Sequence, residues 1–211
     1  FMARILLFNP VIRENSPPNN PPLGLLYIAS SLIIAGHDVE VCDLNALRVD
    51  NDHNNNYREM WMNIFIKHYD FIGISGLIVT YKEQRIILDW INKNRHALGD
   101  PVIILGGGMA TSAPAFVMRN YPEVDIIVLH EGEISMVEIA NDLPLRSIHG
   151  IMYKDDGLWY TNPPRELIPN LDILPFPDFD LVPAHYSDYH LPDFLVLFFL
   201  FDYLVLVCDN P

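Results

Sequence analysis

Cysteine is nearly missing from this chain: Cys42 and Cys208 are the only two in 211 residues, far apart and outside any C-x-x-C or Cys/His cluster. Their scarcity excludes a disulfide framework and a thiolate-built zinc site, and it fits a reducing, cytoplasmic setting. Basic residues are also few, 13 against 27 acidic ones, for a formal net charge of −14. A surface of that sign repels a phosphate backbone, whose binding relies on Lys and Arg, so nucleic acid is not expected as a partner. Long apolar runs are absent as well. The longest, Phe194 to Val207, is 14 residues with Asp202 inside it, whereas a spanning helix needs about 20. The N-terminus, Phe1-Met2-Ala3-Arg4, enters an apolar segment without a basic n-region or cleavage site, so neither a leader peptide nor a membrane anchor is expected. There is no G-x-G-x-x-G fingerprint and no P-loop lysine.

What is present supports a folded interior. Hydrophobic residues make up 50% of the chain and charged residues 19%, a balance that favours a compact core over disorder. Short aliphatic runs at Arg4–Phe8, Asp38–Cys42, Phe71–Ser75, Val102–Leu105 and Asp125–Leu129 read as strands. Helix-length segments lie between them at Pro22–Ala35, with Gly36 as a stop, and at Tyr57–His68, Lys82–His96, Ala113–Asn120 and Glu133–Asn141. Trp61, Trp90 and the face that carries Tyr27 have the spacing of core-packing positions. Strands that are apolar throughout and alternate with helices predict a parallel sheet covered on both faces. The expected fold is α/β: a flavodoxin-like (Rossmann-like), doubly wound, five-stranded parallel sheet with a small C-terminal hairpin and an extended linker. The hairpin signal is Lys154-Asp155-Asp156-Gly157, flanked by Ile148–Tyr153 and Leu158–Thr161, and proline-rich sequence around Leu174-Pro175-Phe176-Pro177-Asp178 suits the linker. The expected division is 1–145 for the wound domain, 146–190 for hairpin and linker, and 191–211 for an apolar tail.

In open sheets of this kind ligands bind beyond the carboxyl ends of the strands, where the strand order reverses. Three motifs fall there: Ser75-Gly76-Leu77 after the third strand, Gly106-Gly107-Gly108 after the fourth, and His130-Glu131-Gly132-Glu133 after the fifth. Consecutive glycines leave backbone N–H groups bare to a bulky ligand; the alternative is a tight turn required by packing alone. The Glu-Gly-Glu segment is expected to cap the last helix and face a ligand edge, while an acid–base pair of His130 and Glu131 is disfavoured. The Pro/Asn-rich loop Asn9–Pro21 is longer than an ordinary βα connection, and Val49–Asn56 reads as a solvated insertion.

These residues carry a resemblance. Ser75-x-Leu77, followed by Gly106-Gly107 after the 28 residues 78–105, is similar to the second and third elements of the cobalamin-binding signature D-x-H-x-x-G, S-x-L, G-G. The stretches Ile5–Pro10, Pro21–Ala29, Gly36-His37-Asp38-Val39, Leu105–Gly108 and Glu131-Gly132-Glu133 resemble the N-terminal domain of cobalamin-dependent radical S-adenosylmethionine proteins. Those include the anaerobic magnesium-protoporphyrin monomethyl ester cyclase group and many methyltransferases. The resemblance implies that Ser75, Leu77, Gly106 and Gly107 line the slot for the dimethylbenzimidazole nucleotide tail. Asn9, Pro10, Leu23, Gly24, Gly76, Thr80, Gly108, Glu131, Gly132 and Glu133 complete the cofactor-binding set it implies. No catalytic residue and no metal ligand is assigned.

Two departures qualify the match. The first signature element is missing: only His190 has an aspartate two residues before it, Asp188, and Asp193 stands where its glycine should be. Cobalamin is therefore expected to bind base-off without a histidine below the cobalt. The C-x-x-x-C-x-x-C that holds a [4Fe–4S] cluster for S-adenosylmethionine in the resembled enzymes is also missing, and Cys208 alone cannot replace three thiolates. The expected partners are cobalamin and a radical S-adenosylmethionine barrel in cis or in trans, with this chain alone not catalytic. Two other readings stay open at this level: a non-enzymatic flavodoxin-like binding or interaction module, and an inactive truncated remnant.

Overall fold

In the computed structural model, which describes residues 1–12, 20–49 and 57–182, strand and helix alternate from the first residues. The strands are β1 (Arg4–Asn9), β2 (Asp38–Asp43), β3 (Phe71–Ser75), β4 (Val102–Gly106) and β5 (Ile126–Val128). Between them run α1 (Leu23–Ile34), α2 (Leu44–Val49), α3 (Tyr57–Ile64), α4 (Tyr81–Asn94), α5 (Gly108–Ser112) and α6 (Pro114–Asn120), and α7 (Glu133–Ala140) follows β5. The sequence expectations at 13–19, 50–56 and 183–211, including His190, the run Phe194–Val207 and Cys208, lie outside the described residues.

β1 to β5 pair in parallel, and the sheet order is β2-β1-β3-β4-β5-β6-β7. The chain moves outward from β1 to β2 and then crosses back to β3, so the order reverses between β1 and β3. That reversal opens a crevice at the carboxyl edge, because the connections on its two sides run to opposite faces of the sheet. The predicted hairpin is present as β6 (Ile151–Asp155) and β7 (Leu158–Thr161), and it is built into the sheet: β6 pairs antiparallel with β5, Ile127 opposite Met152. Its two-residue turn places Asp156 at φ 47° and Gly157 at φ 77°, the left-handed pair that matches the twist of the flanking strands.

Alternation along β1 feeds two cores. Ile5 and Leu7 point to one face with Leu26, Ala29 and Leu32 of α1 and Met136 and Ile139 of α7. Leu6 and Phe8 point to the other, with Trp61, Phe65 and Trp90 of the α3/α4 side. On that second face the aromatic rings meet edge to face, Phe8–Trp61 at 5.3 Å and Trp61–Trp90 at 5.1 Å between centroids, a favoured arrangement. The two tryptophans are buried as expected, whereas Tyr27 is only half-buried. α1 ends at Gly36, φ 92°, where the His37 N–H donates to the Leu32 carbonyl and the Gly36 N–H to that of Ile33. These paired bonds close the helix in a Schellman turn.

After β7 the proline-rich segment runs back over α7 and α1. Arg165 pairs with Glu138 and donates to Ser135 Oγ, and the Asp178 N–H donates to Ser30 Oγ at 2.8 Å. Ile168 and Val182 of this segment are themselves buried. No helix among the described residues is long and apolar enough to cross a membrane.

Candidate functional site

At the switch point a cleft of about 420 Å³ opens between the carboxyl ends of β1, β3, β4 and β5 and the first turns of α1 and α7. Its volume lies in the range of small-molecule and cofactor sites. Strand alternation lines its inner end with apolar groups, Leu7, Ile104, Val128 and Met136, and at its centre leaves Gly73. A Cβ at Gly73 would come within 2.7 Å of Leu7 Cδ2, so this mid-strand glycine marks a close approach. Nothing but its placement inside the run Phe71-Ile-Gly-Ile-Ser75 could have signalled it.

The polar rim comes from the loop motifs. β3 and β4 end side by side, Ser75 paired with Gly106. Their loops are cross-linked: the Gly76 N–H donates to the Gly106 carbonyl, and the Met109 N–H to that of Gly76. Gly107 has φ +87°, and a Cβ there would lie 2.8 Å from the Gly76 oxygen; this glycine is demanded by conformation and packing together. Gly106 differs. Among the described residues its Cβ would face the cleft with nothing nearer than the Val128 oxygen at 4.0 Å, and a Cβ on Gly24 would meet nothing within 4 Å. Neither glycine is required by the packing of the described residues, and Gly24 in a helix gives up about 1 kcal/mol relative to alanine. Both stand on the cleft wall, where their missing side chains keep room for a ligand against the backbone.

Asn9, Leu23, Gly24, Ser75, Leu77, Gly106, Gly107, Glu131, Gly132 and Glu133 all line this one cleft. Pro10, Gly76, Thr80 and Gly108 do not, for identifiable reasons. Pro10 is buried and its carbonyl accepts from Asn45 Nδ2. Gly76 lies against Gln84, whose Nε2 a Cβ would meet at 2.1 Å. Thr80 Oγ1 accepts from the Leu77 N–H and from Gln84 Nε2, holding the Ser75-Gly76-Leu77 loop from behind, and Gly108 opens α5. Sequence reasoning missed that buried support: Gln84 also accepts from the Tyr121 hydroxyl and donates to the Leu77 carbonyl. Asp43 and Asn45 play the equivalent part beneath the β1 loop, Asp43 accepting from Asn9 Nδ2 at 2.8 Å and Asn45 Oδ1 from the Ile12 N–H.

Around Gly132 two carboxylates take different roles. Glu131 Oε2 accepts from the Ile168 N–H at 2.7 Å, tying the rim to the returning proline-rich segment. Glu133 heads α7 but makes no side-chain cap, Gly132 being the N-cap residue. Its Oε2 is shielded from water and has no hydrogen-bond partner among the described residues, and burial raises its pKa, with repulsion from Glu131 acting in the same direction. His130, also at the rim, adopts φ 58° and donates its backbone N–H to Thr111 Oγ1. Glu131 is thus engaged through one oxygen by the Ile168 N–H. Among the described residues no group of three or more His, Cys, Asp or Glu side chains is placed to hold a metal ion.

The family model of the B12 binding domain matches residues 10–140, which span this cleft from the loop after β1 to the end of α7. The chain belongs to the B12-binding domain family. Among its relatives is an uncharacterized methyltransferase of Pyrococcus horikoshii, 33% identical over 196 residues that cover 86% of this chain and 39% of that one. Another is the anaerobic magnesium-protoporphyrin IX monomethyl ester cyclase of a Synechocystis species, 27% identical over 178 residues, 81% of this chain and 34% of the cyclase. The chain therefore spans between a third and two-fifths of the curated relatives it matches. The fold is shared with OxsB, a cobalamin-dependent S-adenosylmethionine radical enzyme solved with aqua-cobalamin, at TM-score 0.66 and 23% identity over 85% of this chain and 24% of OxsB. It is shared too with the radical S-adenosylmethionine methyltransferase TsrM of Kitasatospora setae, solved with cobalamin and a [4Fe–4S] cluster, at TM-score 0.59 and 22% identity over 81% of this chain and 30% of TsrM. In this B12-binding domain the S-x-L and G-G elements converge on one cleft.

The cleft combines an apolar interior with a polar rim. Its inner end is apolar, lined by Leu7, Ile104, Val128 and Met136, its wall at Gly106 is bare backbone, and its rim carries the polar side chains of Ser75, Asn9 and Glu133.

Proposed function

We propose that this chain binds cobalamin base-off, its nucleotide tail inserted in the cleft between the sheet and helices α1 and α7. It would present the corrin to a radical S-adenosylmethionine barrel supplied in cis or in trans. The observation that carries this reading is the pair Gly24 and Gly106: two glycines on the cleft wall whose missing side chains the packing of the described residues does not require. When bound, cobalamin supplies a cobalt centre able to carry and release a methyl group. The residues of this chain hold and orient it: Ser75 and Asn9 offer polar contacts, Gly106 and Gly107 bare backbone, and the apolar inner end keeps water from the heterocycle. Base-off binding is favoured because the β1–α1 loop, residues 10–22, contains no histidine, and the one histidine lining the cleft among the described residues, His130, follows β5 instead. Methyl transfer or ring-forming oxidation would belong to the partner barrel, since this sequence has no C-x-x-x-C-x-x-C.

Mixing the purified protein with hydroxocobalamin and passing it through gel filtration tests the reading. Corrinoid should co-elute with protein and show a base-off absorption spectrum. A protein peak free of corrinoid overturns cobalamin binding, and a base-on spectrum overturns the mode of binding alone. Stabilisation by flavin mononucleotide or other nucleotides but not by cobalamin would point to a different phosphate-bearing ligand.

A further inference from the structure

The two glutamates that flank Gly132 are built into the same rim yet differ in one respect. Glu131 Oε2 is satisfied by the Ile168 N–H, and Glu133 Oε2, equally withdrawn from water, is satisfied by nothing among the described residues. Leaving a buried acceptor unmade costs its full desolvation, whereas a partner converts the site into a charge-assisted hydrogen bond. Glu133 lines the cleft, so a ligand bound there can supply the donor that the described residues do not. Among the cleft-lining residues beside it, Gly132, Met136 and Ile28 have no side-chain donor to offer.

We infer that Glu133 is the residue that recognises the nucleotide part of the ligand, its free oxygen accepting a hydrogen bond from a ribose hydroxyl. This rests on the cobalamin reading above. Two donor classes exist on a cobalamin: the amide fringe of the corrin and the hydroxyls of the tail's ribose. A macrocycle with its fringe of amides is too bulky for a cleft of about 420 Å³, and the nucleotide is not. Glu133 thereby sets a preference for corrinoids that carry a nucleotide over those that lack one. The acidic rim has a second consequence, because the Glu131 and Glu133 carboxylates oppose entry of the tail's phosphate. That directs the sugar edge rather than the phosphate toward α7.

The test compares hydroxocobalamin with cobinamide, which keeps the corrin and its amides but has neither ribose nor base, against the wild-type protein, E133A and E133Q. Wild type should bind hydroxocobalamin more tightly than cobinamide. In E133A the affinity for hydroxocobalamin should fall about ten- to a hundred-fold, the range of a hydrogen bond to a charged group, with cobinamide affinity unchanged. E133Q retains an acceptor oxygen without the charge and should fall between the two. Circular dichroism of both unliganded variants should match wild type at the binding temperature; E133A also gives up the carboxylate's contacts to the Gly132 and Glu133 backbone N–H groups, so E133Q, which keeps the side chain's size, is the arm that decides if E133A melts lower. Equal weakening toward both corrinoids would assign the oxygen to a corrin amide and overturn the proposal, as would unchanged affinity for both. A wild-type protein that binds neither corrinoid sinks the cobalamin reading itself, and that arm registers it independently of the variants.

Discussion

The two faces of the sheet are built on opposite plans. On the α3/α4/α6 side, Phe8, Trp61, Phe65 and Trp90 pack edge to face. On the α1/α7 side the layer is aliphatic, and toward the carboxyl edge it thins to glycine at 24, 73, 106 and 132. The first plan yields stability through dispersion and burial. The second gives up part of that to keep a space open. A mutation should therefore harm stability on the aromatic face and ligand binding on the glycine face.

The largest expected effect tests the first half of that contrast. Trp61 is 1% exposed at the centre of the aromatic cluster, and W61A should cost about 3–5 kcal/mol, as for other buried aromatics cut to alanine. Urea unfolding measures it, and a loss below about 1 kcal/mol would mean that the cluster collapses around the hole. Next in size is G107A, where the two plans meet: φ +87° and a Cβ 2.8 Å from the Gly76 oxygen should together cost about 1–3 kcal/mol. Because Gly107 also lines the cleft, hydroxocobalamin retention should drop with it.

G106V separates the faces more cleanly. The space beyond Gly106 is open and valine suits a strand better than glycine, so unfolding should stay unchanged or rise by up to about 1 kcal/mol. Corrinoid retention on gel filtration should nevertheless be lost. A variant both stable and fully able to bind would show that the bare backbone at 106 is not what the ligand uses.

The strands and helices were legible because each is a run of one period: Ile5 to Phe8 apolar throughout, Lys82–His96 amphipathic. What escaped was either too short or too distant in sequence. α2 and α5, of six and five residues, are below the length at which helical spacing declares itself. The hairpin could be read from Lys154-Asp155-Asp156-Gly157, of which the first two residues belong to β6, but its docking on β5 depends on a pairing across Ile127 and Met152, which no local pattern encodes. At the site, the glycines that bend the chain announced themselves as Gly106-Gly107-Gly108. Gly73, which only makes room, and Gln84, which braces the loop from behind, did not. Motif spacing located the cleft; deciding that Gly76 and Thr80 serve packing and not its wall took the direction of each side chain.

The smallest effect sits at the far, amino-terminal end of the α1/α7 layer. His37 is buried just past the end of α1, and its Nδ1 accepts a hydrogen bond from the Ala3 N–H at 3.2 Å. Only the neutral imidazole can accept there, and burial lowers its pKa below the ordinary value. The unfolded chain thus binds a proton at a higher pH than the folded one does. Its contribution to stability is complete above about pH 6.5, the unperturbed histidine value, and is lost progressively as the pH falls below it. Urea unfolding at pH 7.5 and at pH 5.5 should show the decline, and H37N, which keeps an acceptor near Nδ1 but cannot titrate, should have a shallower slope over that interval. An identical slope in the variant would move the acid sensitivity to other groups. Ligand retention should be the same in both proteins, because His37 lies at the opposite edge of the sheet from the cleft: the α1/α7 layer is closed and titratable at its amino end, and open and glycine-lined only where the strands finish.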